Sequence, residues 1–415
     1  MSRYRVGVAG AAVIWLGLIG CRGDRIAGPT GRPATVQIAP RRLALSGDGG
    51  WGCALVSAQM VCWGSDSTLG FAKATGICSY GLLCAPSPIA ADGGHAFTSL
   101  AFGDNYGCAL EGADQLTYCW GGNGWGQLGR SSQSSQAGAD TVFGARFTAI
   151  GAGLFTTCGA QTSGRVFCWG KSGTGVDGSG TYYVTRPTLV PADSPAVAVS
   201  VGNYTACFLT ASGRLYCWGS DAYGAVGSQA AMNTCVHEIP SGQIVEPTTA
   251  YSCTSVALAV DSSARFQSVS MGINHGCAAS VDDVWLCWGE GYGATPAPVR
   301  GSPKVQSVSS GGGVDCAVGE DQRVWCVGWT GFGILGRGKR QDSTSVPTPI
   351  NSDQSFSEVE VNPDPTPIST TVACAISTAN QVWCWGSWPA ISDTVLSTPV
   401  RLWPPPSNSA QRHKD

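Results

Sequence analysis

The sequence predicts an all-β fold, a seven-bladed β-propeller with four-stranded antiparallel blades, and three observations carry that expectation. Two cysteines at near-constant spacing recur seven times, each pair framing two apolar strands and a short turn, and the second cysteine usually precedes Trp-Gly. Around each pair stand two further short strands, one ending near glycine and one containing proline with valine or isoleucine. Four short strands in about fifty residues are the unit of a propeller blade. The composition agrees: 58 glycines and 23 prolines with only 12% charged residues imply many tight turns, and 43% hydrophobic residues imply a folded core.

Residues 1–20 read as a lipoprotein signal peptide. Arg3 and Arg5 precede an apolar run from Val6 to Ile19, which is shorter than a membrane span usually requires. Leu18-Ile19-Gly20-Cys21 resembles the bacterial lipobox, which makes Cys21 the acylated residue and the mature N-terminus. Residues 21–34, rich in Gly, Pro and Arg, are a flexible tether, residues 35–403 the propeller and residues 404–415 a polar tail.

Export gives the cysteine count a meaning, because disulfides persist outside the cytosol. Of 19 cysteines, lipidation of Cys21 leaves an even number. The repeat pairs are Cys53 with Cys62, Cys108 with Cys119, Cys158 with Cys168, Cys207 with Cys217, Cys277 with Cys287, Cys316 with Cys326, and Cys374 with Cys384. Five have a separation of ten, the first nine and the second eleven. Residues directly opposed across a hairpin are symmetric about its turn, so a separation of ten centres the Cys158–Cys168 turn on Ser163. A three-residue loop, Thr162-Ser163-Gly164, then places its third residue in the left-handed region. Gly213, Asp283, Gln322 and Asn380 occupy that place in other repeats, and glutamine suits it least. Opposed cysteines are close enough to bridge. Buried free thiols and a metal site are the alternatives, and the spacing and the four histidines argue against metal. Cys78 with Cys84 and Cys235 with Cys253 read as staples within insertions.

The strands before the first cysteines are Phe97 to Gly103, Phe147 to Gly151, Val197 to Gly202, Phe266 to Gly272 and Val305 to Gly311; Pro298-Val299 and Pro349-Ile350 mark the fourth strands. Closing the ring calls for a strand from one chain end to join a blade at the other, with Ala34 to Ile38 and Pro399 to Trp403 as candidates.

The run Cys108-Ala109-Leu110, Tyr118-Cys119-Trp120-Gly121, Asn123 and Gly126-Gln127-Leu128-Gly129 resembles the repeat of the regulator of chromosome condensation family. Cys207 through Gly219 and Gly331 through Gly336 repeat parts of it. The resemblance spans residues 35–403 and implies seven blades. Val327 departs from it where tryptophan is usual, and Asn362-Pro363-Asp364-Pro365 interrupts the strand expected before Cys374. The activity best known in that family, nucleotide exchange on a nuclear GTPase, belongs to another compartment and does not follow from fold.

For function, the residues exclude more than they name. A net charge of −3 offers no basic field for nucleic acid. There is no Gly-x-Ser-x-Gly elbow, His-Glu-x-x-His helix or phosphate-binding glycine loop. Glu111, Glu238, Glu290 and Glu320 fall at unrelated repeat positions and form no evident pair. No catalytic residue, cofactor site or metal site is expected. The Cys-Trp-Gly tryptophans, Trp63, Trp120, Trp169, Trp218, Trp288 and Trp385, recur too strictly for a ligand site and belong to the core. Aromatics that vary within a fixed frame are better candidates. Trp51, Tyr106, Tyr204 and His275 precede the first cysteines, and Trp125 and Tyr223 follow Trp-Gly, together proposing one face for a protein or glycan ligand. Packing between blades is the competing explanation. A non-catalytic surface lipoprotein, a structural spacer of the envelope and a polysaccharide-acting enzyme are the three functional classes that remain.

Overall fold

Alternating apolar residues and left-handed turns build seven antiparallel sheets that follow one another along the chain. The computed structural model describes residues 36–405 except for 37, 48–49, 66–72, 74, 78–82, 113, 143–145, 172–182, 231–232, 236–250, 363–370 and 388–394. Within each sheet the first strand of the repeat is innermost, and in the five four-stranded sheets the fourth is outermost. Blade 5 is representative, with Phe266–Met271 innermost, then His275–Ser280, Trp285–Gly289 and Gly293–Pro298. Blades 1 and 4 carry a fifth short strand at the outer edge, Gly76–Ile77 and Asn233–Cys235, in the two insertions that hold the extra cysteines.

All seven repeat cysteine pairs are disulfides and are directly opposed, as between Cys158 and Cys168. Cys84 and Cys253 are also disulfide-bonded. Cys78 and the side chain of Cys235 lie outside the described residues, as does Cys21. The turn residues take the left-handed conformation at Gly164, Gly213, Asp283, Gln322 and Asn380, with φ of 79, 77, 62, 60 and 56°. Even the unfavourable Gln322 conforms, because the strands on either side fix the register.

Two expectations about the end of the chain are corrected. The strand expected to be interrupted before Cys374 lies upstream of Asn362, as the inner strand of blade 7 at Phe356–Val361, and the prolines themselves lie outside the described residues. Neither candidate for closure is exchanged between chain ends. Pro399 to Trp403 belongs to Leu396–Trp403, the outer strand of blade 7 itself, and the described residues of 34–38 are in no sheet. Every blade is complete in its own stretch of chain.

The ring closes instead through side chains. Leu43, Val56 and Trp63 of blade 1 pack with Val372, Ile376 and Val382 of blade 7. The chain approaches this seam across the axis. Val36 N donates to Ala211 O at 3.0 Å in the turn between the second and third strands of blade 4, and Leu100 N of blade 2 donates to Arg41 O at 2.9 Å. Glu358 of blade 7 then accepts both Arg42 N and Leu43 N, at 2.9 and 3.0 Å. The Arg41 guanidinium pairs with Glu360 at 3.0 Å. Residues 38–42 and the inner strands of blades 2 to 7 line an open axial pocket of about 460 Å³.

Candidate functional site

The two ends of the blades differ chemically. One end carries the turns between second and third strands; the other carries the links from inner to second strand, three residues long in five blades, and the loops from third to outer strand. The latter, here called the loop face, is where the six candidate aromatic and histidine positions were expected.

Their placement splits by register. Trp51, Tyr106 and His275 each stand two residues before a first cysteine and begin the second strands Trp51–Val56, Tyr106–Glu111 and His275–Ser280. Period-two alternation turns them to the same side as the cysteine, between blades. They are buried, with exposures of 1, 0 and 7%, and are not part of an exposed face. Trp51 packs on Phe102 of blade 2 at 4.1 Å. Tyr106 donates from Oη to Thr156 O of blade 3 at 2.8 Å and lies 3.0 Å from Thr157 Oγ1. By contrast, Phe155 and Tyr204 stand three residues before their cysteines and lie in the loops, half-buried. The difference of one residue was present in the sequence.

The loops after Trp-Gly do structural work with their backbone. In blades 2, 4 and 6, the carbonyls of Gln127, Ala225 and Ile334 accept the indole N–H of Trp169, Trp288 and Trp385 in the following blade, at 2.8, 2.9 and 2.6 Å. Leu128, Val226 and Leu335 are buried beside them. Each of these carbonyls follows an aromatic-glycine pair, Trp125-Gly126, Tyr223-Gly224 or Phe332-Gly333, so the pattern is a brace between blades and only the aromatic side chain is left to vary. Trp125 is half-buried, while Tyr223 is 64% exposed and held at φ 63°.

One interblade position carries charge. His275 Nε2 is 2.8 Å from Asp315 Oδ1, and Tyr292 Oη donates to Asp315 Oδ2 at 2.6 Å. These residues repeat the Tyr106 and Thr157 positions, with a buried ion pair in place of hydroxyls. Burial opposes charge on His275, but the Asp315 carboxylate beside it and their hydrogen bond outweigh this and hold the imidazole above its ordinary value. Burial likewise works against the Asp315 carboxylate, yet His275, helped by Tyr292, holds it below the usual range. Cys277 Sγ lies within 4.8 Å of both groups. Its disulfide to Cys287 denies a metal the thiolate, so two ligands remain, too few for a zinc site.

Two groups of residues were missed by sequence reasoning. Glu358 and Glu360 are paired carboxylates on the inner strand of blade 7, but Arg42 and Arg41 hold both, which leaves neither as a free acid or base. Their signal was an acidic pair at alternate positions where the other inner strands carry small residues. On the loop face, Lys171 ends the third strand of blade 3, with Nζ 4.9 Å from the Trp125 ring centroid and 5.4 Å from that of Phe155. The two rings are 6.0 Å apart. Burial lowers the Lys171 pKa. The signal was a lysine after Cys-Trp-Gly, a place taken by Ser65, Gly122, Ser220, Glu290 and Ser387 in five of the other repeats.

Comparison with known proteins follows the same division between fold and function. The family model described as the regulator of chromosome condensation (RCC1) repeat matches residues 196–225. A search of curated proteins finds no match. Among solved structures, human WBSCR16 superposes with a TM-score of 0.66 at 18% identity, covering 83% of this chain and 93% of that one. Yeast RCC1 (Prp20), solved bound to Kap60, gives 0.66 at 15% identity over 95% of this chain and 92% of its own. The ectodomain of the receptor kinase CR4 from Physcomitrella patens gives 0.50 at 19% identity, covering 83% and 72%. At these identities the likeness establishes architecture alone: the chain is a seven-bladed propeller of the kind that RCC1 repeats build.

Proposed function

We propose that this protein is a non-catalytic binding propeller, exported and anchored to the cell envelope by lipid on Cys21, which presents its loop face to a protein or glycan. The observation that carries the binding reading is the exposed Tyr223, with half-buried Trp125 and Tyr204 in other loops of the same face, a face whose loops are braced from behind by interblade hydrogen bonds. A rigid frame with variable aromatic tips loses little entropy on binding. A disulfide in every blade fits an oxidising, extracellular environment. A propeller of this kind is seen with a protein partner in the yeast RCC1–Kap60 structure. The burial of Trp51, Tyr106 and His275 favours a second reading, a structural spacer of the envelope.

Capture of glycans and envelope proteins by the full chain separates the two. Binding predicts that Tyr223→Ala and Trp125→Ala weaken capture while unfolding shifts by less than about 0.5 kcal/mol for the exposed Tyr223. Unchanged capture in both variants would leave the spacer. Mass spectrometry of the mature N-terminus tests the anchor, and an unmodified Cys21 removes it.

A further inference from the structure

We propose that Lys171, Trp125 and Phe155 form a subsite for an acidic sugar, in which the ammonium takes a uronate carboxylate and the rings stack on the pyranose. The proposal rests on the loop face being a binding face and names the ligand class for one part of it.

The first argument is charge. Four of the five other half-buried cations, Arg41, Arg42, Arg130 and Arg337, pair with a carboxylate, respectively Glu360, Glu358, Asp140 and Asp342, and Arg401 on the outer strand of blade 7 is the exception among the described residues. Among the described residues no carboxylate pairs with Lys171, although it is half-buried and over two aromatic rings. Cation–π attraction offsets only part of the hydration such an ammonium loses. A ligand carboxylate would restore the missing charge, and the partial burial would strengthen the pairing relative to bulk water.

The second argument is uniqueness within a repeat. Scaffold demands are met at every blade, as the Trp-Gly pairs and disulfides show. The Lys171 place is neutral in blades 1, 2, 4 and 7 and acidic in blade 5, where Asn274 Nδ2 donates to Glu290 Oε2 at 3.0 Å. The Phe155 place is Gly50, Asn105, Tyr204, Asn274, Gly313 or Thr371 elsewhere. Folding the blade does not require a lysine between aromatics. Apolar ring faces beside one cation suit a rigid, flat-faced pyranose that carries its carboxylate on the ring. An acidic peptide would use the cation and gain little from the rings.

Calorimetric titration of the full chain with hexagalacturonate, cellohexaose and hexa-aspartate is the test. The expected result is binding of the uronate alone, weakening as salt is raised, and weakened at least about tenfold by Lys171→Met and by Trp125→Ala. Lys171→Met retains the stem, so its unfolding midpoint should stay near that of the parent. Equal binding of hexa-aspartate would overturn the sugar class, and uronate binding indifferent to Lys171→Met would overturn the site. If uronate fails while Tyr223→Ala still impairs capture of another ligand, this inference falls and the binding face stands. If neither variant impairs capture of anything, the binding face itself fails.

Discussion

His275 shows how a single register step decides what a residue can do. Standing two before Cys277, it enters the blade 5–6 interface and meets Asp315, whereas Tyr204, three before Cys207, stays in a loop. The pair makes stability depend on pH from both sides. The raised imidazole pKa contributes stability that is complete below its ordinary value near 6.5 and is lost as pH rises through the folded value. The depressed carboxyl contributes stability that is complete above its ordinary 3.8 and is lost as pH falls through the folded value. The interface should therefore be firmest from about pH 4 to 6. In urea unfolding, Asp315→Asn should cost about 1.5–3 kcal/mol near pH 6, the range for a hydrogen bond to a charged group. His275→Asn should remove this pair's share of the decline on the alkaline side; an unchanged decline would assign it to other groups. At this scale the sequence was only partly legible. It showed that aromatic and histidine residues recur, but the two offsets were read as one set, and the partners lie a repeat away, from Tyr106 to Thr157 or from His275 to Asp315.

The blade hairpin was the most legible element, because its determinants are local. A cysteine separation fixes the opposed pair, the opposed pair fixes the turn, and the turn requires positive φ at one known residue, as at Gly164 with φ 79°. Replacing Cys158 and Cys168 together with alanine should lower stability by roughly 2–3 kcal/mol in the chain-entropy model, read from denaturant unfolding. A loss far below this would mean that the reduced hairpin is already compact in the unfolded chain. The loops after Trp-Gly were less legible, since their function rests on a backbone carbonyl. Their aromatics drew attention, while the working atoms are oxygens such as Gln127 O, which accepts from Trp169 Nε1. Trp169→Phe keeps most of the buried area but removes that donor. It should cost about 1–3 kcal/mol, less if Thr157, whose Oγ1 lies 2.9 Å from the same oxygen, compensates.

Closing the ring is a property of the whole molecule, and here local reading chose the wrong device. An exchanged strand would have joined the two chain ends in one sheet through backbone hydrogen bonds. This propeller keeps each blade contiguous and joins blades 1 and 7 by packing at Leu43, Trp63 and Val372 and by the acids of one inner strand. Glu358 has conflicting surroundings. Burial raises its pKa from 4.5 to about 7, against the pull of Arg42 and of the backbone N–H groups of Arg42 and Leu43. A carboxyl whose pKa is raised on folding binds its proton more tightly in the native state. Its contribution therefore falls as pH climbs from about 4.5 to about 7. Glu358→Gln retains an oxygen for both N–H groups without the charge, so stability should lose part of its downward slope across that window. Glu358→Ala removes the acceptor and should destabilise at every pH, by about 1–3 kcal/mol for each N–H left buried and unpaired. Thermal unfolding of the three proteins from pH 4 to 8 reads both effects. If Glu358→Ala unfolds like the parent, Glu358 has no part in keeping the ring shut, and the seam rests on its apolar residues and the Arg41–Glu360 pair.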